Sequence, residues 1–253
     1  MKIGNAAKIF LILFLYGALT FPQEKYNHTL FQSSPFTGLL NGVMNDNFTI
    51  GELSRYGNFG LGTFNGVDGE MIVLDGKVYR IDNRGKVSLP NKSEKTPFAT
   101  LTFFHADTAI TLNKEMNFKQ FNEFLNGILP SENLIYAIKI SGNFISVKAR
   151  SEGKQTEPYS NLADVLKNQS IFDLTNVKGT LVGFKFPNYL NGVNVPGYHF
   201  HFLTADKKSG GHALDFTTGN VKVEIEFINK LDVNLPGSKD FLNTSFDKKD
   251  SAD

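Results

Sequence analysis

The chain has 253 residues, 41% of them apolar, a formal net charge of +1 and no cysteine. That length suits one large domain or two small ones sharing a core, and a near-neutral chain without a basic block argues against nucleic acid or an anionic membrane surface as partner. The absence of cysteine excludes disulfides, thiolate metal sites and thiol nucleophiles together.

Residues 1–22 differ in kind from the rest. Lys2 and Lys8 precede the apolar run Ile9 to Ala18, and polar sequence begins at Gln23. This is the layout of a secretory signal peptide with cleavage between Ala18 and Pro22, so the mature protein is expected to be exported (secreted, periplasmic or cell-surface) with no stable membrane partner. The run is shorter than the roughly 20 residues a spanning helix needs.

Leu30 to Met44 reads as a loop with a short helix. Thr49-Ile50-Gly51-Glu52 has capping-box spacing and predicts a short helix ending at Gly57. Asp75-Gly76 between two β-rich runs predicts a hairpin over Val67 to Ile81. On its first strand Glu70 shares a face with Ile72 and Leu74, and a carboxylate in line with core residues is costly unless it is paired or reaches solvent at the strand's end. Phe98 to Phe104 reads as a strand. Asn117 to Ile128 is an amphipathic helix with Phe118, Phe121, Leu125 and Ile128 on one stripe.

Leu134 to Ser141 and Phe144 to Arg150 predict a second hairpin turning at Ser141-Gly142-Asn143, with Arg150 at a strand end. A short helix follows within Pro158 to Asn168, then strands over Gly179 to Pro187 and Asn220 to Ile228; the charged tail from Gly237 is expected to fray. The elements predict a mixed α/β (α+β) fold with two closely packed, sheet-containing subdomains, built of largely antiparallel hairpins and a few helices. The expected divisions are a signal peptide over 1–22, an N-terminal sheet/helix subdomain over 23–140, a C-terminal metal-binding β subdomain over 141–236 and a charged tail over 237–253.

Three of the five histidines fall in one short window, within Gly197-Tyr198-His199-Phe200-His201-Phe202 and Gly210-Gly211-His212. Strand alternation puts His199 and His201 on one face. The polar, glycine-ended stretch from Thr204 to Gly211 predicts a turn; folded about Asp206-Lys207, it sets His201 opposite His212 and His199 diagonal to it. Three neutral imidazoles with an open fourth position suit a catalytic divalent ion. A strand with two half-buried histidines and an unrelated third is the competing reading.

Together these stretches resemble α-acetolactate decarboxylase, a metal-dependent family, from about Leu30 to Pro236. The likeness rests on Tyr56-Gly57-Asn58-Phe59-Gly60-Leu61-Gly62-Thr63-Phe64, Asp68-Gly69-Glu70, Leu74-Asp75-Gly76, Lys148-Ala149-Arg150 and above all the histidine hairpin. The resemblance implies His199, His201 and His212 as Zn2+ ligands, Glu70 and Arg150 as the active-site glutamate and arginine, and a two-domain, usually dimeric fold with the metal in a cleft. It implies decarboxylation of 2-acetolactate to acetoin and CO2 through a metal-stabilised enediolate. The family also has a second glutamate near its C-terminus, whereas here no glutamate follows Glu226; Asp250 or Asp253 is the available substitute. Two other readings of the histidines are a different three-histidine metalloenzyme (a hydrolase or cupin-like oxygenase) and a secreted, non-enzymatic metal-binding β protein.

Overall fold

Residues 28–246 are described in a computed structural model of the chain. The expected signal peptide, Asp250 and Asp253 lie outside the described residues. In chain order the elements are β1 (Thr29–Gln32), α1 (Phe36–Leu40), α2 (Ile50–Leu53), β2 (Phe59–Thr63), β3 (Glu70–Leu74), β4 (Lys77–Ile81), β5 (Val87–Ser88), β6 (Ala99–Thr102), β7 (Thr108–Asn117), α3 (Phe118–Ile128), β8 (Ile135–Ser151), α4 (Leu162–Leu166), β9 (Ser170–Phe186), β10 (Gly197–Thr204), β11 (Gly210–Ile228), β12 (Lys230–Val233) and α5 (Lys239–Asn243).

The strands form a seven-stranded sheet of order β12-β1-β6-β2-β3-β4-β5 and a five-stranded sheet of order β10-β9-β8-β11-β7, with β10 also pairing to β11. Apart from the parallel β1–β12 pair, neighbouring strands are antiparallel, as expected from the hairpin-rich sequence. Pairing of β10 with both β9 and β11 closes a ring of strands in the second sheet. Residue 140, where the sequence suggests a division, falls inside β8. The sheets divide differently: β7 belongs to the second sheet, while β12 returns to the first.

A layer of apolar side chains joins the sheets. Leu30, Phe59, Leu61, Ile72, Leu74 and Ile81 of the first meet Ile135, Ala137, Val182, Phe184, Phe186, Leu203 and Ile228 of the second. Burying each large side chain contributes roughly 1.5–3 kcal/mol, so this layer is what docks one sheet on the other. Tyr136, Phe144, Phe200, Phe202 and Phe216 fill a separate cluster beneath α3. Helix α3 begins at the capping box of Asn117 and Gln120 and buries Phe121 and Leu125. The capping box at Thr49 also forms, but its helix stops at Leu53 instead of Gly57.

Some sequence expectations are corrected. Ser141-Gly142-Asn143 is no turn: β8 runs unbroken for 17 residues. Gly142 instead crosses β11 where the register shifts between Thr218 and Val221, and a Cβ on it would stand 2.3 Å from the carbonyl oxygen of Asn220. The strand over Asn220 to Ile228 is the far half of β11, continuous with His212. Leu30 to Met44 holds a strand as well as a helix, and the tail contains α5.

One polar joint crosses the apolar layer. Glu226 of β11 is fully buried; Thr102 Oγ1 of β6 donates to its Oε2 at 3.3 Å, and His28 Nδ1 lies 3.4 Å from its Oε1. Burial pushes the Glu226 carboxyl up to about 7 from 4.5; the His105 amide and Thr102 oppose the rise, and nearby Asp107 adds to it. The folded protein therefore holds this proton more tightly than the unfolded chain, so the stabilisation is complete below the unfolded value and is lost as pH rises through about 7. Glu226→Gln is expected to raise stability by on the order of 1–3 kcal/mol at about pH 8 and to change it little at about pH 5. Thermal melts at both values check this; an unchanged gap between variant and parent across the range would refute it.

Candidate metal centre

The register of the histidine hairpin is the one its sequence predicts. His201 pairs directly with His212, and Gly210 and Gly211 pair with Leu203 and Phe202. The turn is closed by the Ser209 carbonyl accepting from the Thr204 amide at 2.9 Å, with Lys207 at φ 58°. Alternation along β10 sends Phe200 and Phe202 into the cluster under α3, leaving His199, His201 and Leu203 facing the first sheet. His199 Nε2 lies 3.2 Å from His212 Nδ1, and the three ring centroids are 5.1, 4.8 and 5.2 Å apart. Each ring offers one nitrogen within 4.8 Å of the others.

Two backbone features fix the neighbours. On β11, Gly211 (φ +147°) precedes His212, and a Cβ there would stand 2.5 Å from the Arg150 carbonyl oxygen; only glycine lets β11 lie this close to β8. His212 is thereby paired with Arg150, so His201, His212 and Arg150 form one row across three strands. On the first sheet, Gly69 (φ +86°) turns the chain into β3, where a Cβ would meet the Ile81 carbonyl oxygen at 2.3 Å. Glu70 follows and points, with Ile72 and Leu74, at the second sheet. It does not reach solvent at the strand end: it is 5% exposed, with Oε2 3.2 Å from His201 Nε2 and Oε1 3.5 Å from Arg150 Nη1.

Because a carbonyl can only accept, His201 Nδ1 carries the proton it shares with the Met71 oxygen at 2.8 Å, leaving Nε2 as a lone-pair donor beside Glu70. Burial lowers His199 and His201 to about 3 and His212 well below its ordinary value. The Arg150 cation reinforces all three shifts and neighbouring imidazoles those of His199 and His212, while Glu70 opposes the shift at His199 and the Met71 carbonyl that at His201. The rings are therefore neutral at physiological pH, the state in which imidazole donates to a metal. Burial raises the Glu70 carboxyl, and Arg150 and then His199 oppose the rise.

These five side chains line one cavity of about 340 Å³. Its outer wall is apolar, with Phe36 and Leu39 from α1, Leu162 and Leu166 from α4, and Val67, Phe98 and Val195 from loops. Sequence reasoning missed one polar group there: Glu152, 3% exposed, forms an ion pair with Arg150 Nη1. Its only signal was its position two residues after Arg150. The other two histidines do not join the cluster.

Three neutral imidazoles fit a divalent cation by donor chemistry, and beside them Arg150 is set between the carboxyl groups of Glu70 and Glu152. The fold and this site thus define an α+β enzyme with a metal-type centre buried between two sheets. Residues 30–248 match the family described as Alpha-acetolactate decarboxylase. The chain is 46% identical over 215 residues to the Alpha-acetolactate decarboxylase of Methanosarcina mazei, covering 85% of this chain and 74% of that one. It is 39% identical over 223 residues to the Bacillus subtilis strain 168 enzyme of the same name, 88% of each being covered. The crystal structure of alpha-acetolactate decarboxylase from that strain superposes with a TM-score of 0.86 at 39% identity, over 88% of this chain and 95% of that one. A Staphylococcus aureus protein described as of unknown function and similar to Alpha-acetolactate Decarboxylase superposes with a TM-score of 0.84 at 32% identity, over 87% and 94%. The chain belongs to the alpha-acetolactate decarboxylase family.

Proposed function

We propose that this protein converts 2-acetolactate to acetoin and CO2, with zinc held by His199, His201 and His212. One observation carries the reading: in a chain of this family, three neutral imidazoles, Arg150 and Glu70 meet in a single cavity. A divalent ion at the imidazoles would act as a Lewis acid toward the negative charge that develops on the substrate's oxygens. Imidazole also suits copper, nickel, cobalt and iron, and the zinc assignment rests on the family and on the ligand type.

The chain's own groups account for the rest. The Arg150 guanidinium, a permanent cation, orients the substrate carboxylate. As the bond from the hydroxyl-bearing carbon to the carboxylate breaks, its electron pair moves toward the adjacent ketone and leaves an enediolate. One proton must then return to that carbon, so acetolactate plus a proton gives acetoin and CO2. Glu70, whose carboxyl is raised by burial against the pull of Arg150, stands beside His201 and is placed to deliver that proton from one face. The apolar wall limits water and strengthens the polar contacts inside.

Elemental analysis of the purified protein coupled to an acetoin assay tests the assignment. The expected result is about one zinc per chain, loss of activity on chelation and its return with added zinc. Undiminished acetoin formation by fully metal-free protein would reject it.

A further inference from the structure

Glu152 is the second buried carboxylate of the cavity. It follows β8 directly, and Ser151, between it and Arg150, is fully buried, pairs with Ser170 and donates its Oγ to the Ile81 carbonyl at 2.9 Å. With Ser151 tied to the first sheet, Arg150 and Glu152 both line the histidine cavity. A carboxylate this deeply buried needs a charged neighbour, and the ion pair it makes among the described residues is with Arg150 Nη1. The same nitrogen lies 3.5 Å from Glu70 Oε1. One corner of the guanidinium is thus held between two carboxylates, one from the opposite sheet and one from the end of its own strand.

We propose that Glu152 is a positioning residue: it fixes the Arg150 guanidinium so that its remaining N–H groups meet the substrate's carboxylate. This rests on the decarboxylase reading for the identity of the substrate, but not for the clamp itself. A guanidinium recognises a carboxylate best through paired N–H bonds in one plane, and a long side chain left loose loses that geometry. Setting one corner between the two carboxyl groups, hydrogen-bonded to Glu70 and ion-paired with Glu152, leaves the other N–H groups for a ligand. Glu152 also places a second carboxylate in the site from within the described fold, without calling on the tail beyond Phe246.

Charge alone predicts the opposite outcome from positioning, which makes the idea testable by sign. Glu152→Gln removes one negative charge, so simple Coulomb attraction would draw an anion in more tightly. Positioning predicts weaker binding despite the more positive site. The probe is 2-hydroxy-2-methylpropanoate, which keeps the hydroxyl and carboxylate but lacks the ketone and cannot lose CO2 by this route. Its Kd is measured by calorimetry on the metal-loaded protein, beside metal content and the kcat and KM for acetolactate.

For E152Q we expect Kd and KM each to rise about tenfold, kcat to fall less, and metal content to stay at the parent level, since the carboxylate contact is made before the carbon–carbon bond breaks. Should E152Q fail to fold, Glu152→Asp, which keeps the charge but shortens the reach, is expected to show the same rise in smaller degree. Unchanged or tighter probe binding in either folded variant would overturn the proposal. A parent protein that binds the probe but forms no acetoin would instead overturn the decarboxylase reading, leaving the comparison of Kd values to decide on Glu152.

Discussion

His201→Ala is expected to lose bound metal and acetoin formation together. The side chain is 2% exposed and its ring is fixed by Met71 on the opposite sheet, so no neighbouring nitrogen can swing into its place. Two imidazoles on adjacent strands cannot retain a divalent ion as three do, and activity should fall by at least roughly a thousandfold. Metal content after dialysis and acetoin production, measured on the same preparation, check this. A variant retaining both at the parent level would remove the histidine cluster from the reaction.

Glu70→Gln is expected to separate the two properties. The amide preserves shape and a contact to Arg150 but cannot carry the proton, so turnover should drop by about a hundredfold to ten-thousandfold, the usual worth of a positioned acid–base group. Metal content should remain near that of the parent, because three imidazoles are left intact. The closeness of Glu70 Oε2 to His201 Nε2, 3.2 Å, gives the metal measurement its force. Metal lost in parallel with activity would move Glu70 from proton carrier to ligand.

The histidine hairpin was legible because two short-range rules agree: side chains alternate along a strand, and a polar, glycine-ended turn sets the register. Both are local, and the pairing of His201 with His212 followed directly. Glu70 could be flagged because a carboxylate on the face of Ile72 and Leu74 conflicts with burial, although its partners come from the other sheet, the nearer of them, Arg150, 80 residues away in sequence. The long strands were harder to read. Gly142 has the appearance of a turn residue but lies inside β8 opposite the irregularity of β11 between Thr218 and Val221, a position set by β11 and not by its own neighbours. Edge strand β7 alternates, with Leu112 buried between exposed neighbours, yet is polar enough to pass for a loop. The pairing of β1 with β12 joins the two ends of the fold, and local sequence carries no register for it. Glu152 had no signal beyond its place two residues after Arg150, since only the docked sheets turn an ordinary polar run into the wall of a cavity.

The hydrogen bond from the His201 ring to the Met71 carbonyl spans 130 residues of sequence. It ties the histidine hairpin to the strand that carries Glu70. The hairpin by itself carries the three imidazoles but neither Glu70 nor the Met71 carbonyl, so the lining of the cavity exists only once the two sheets have docked. Competence arrives only with completion of the tertiary fold, through contacts of high sequence separation that form late and slowly.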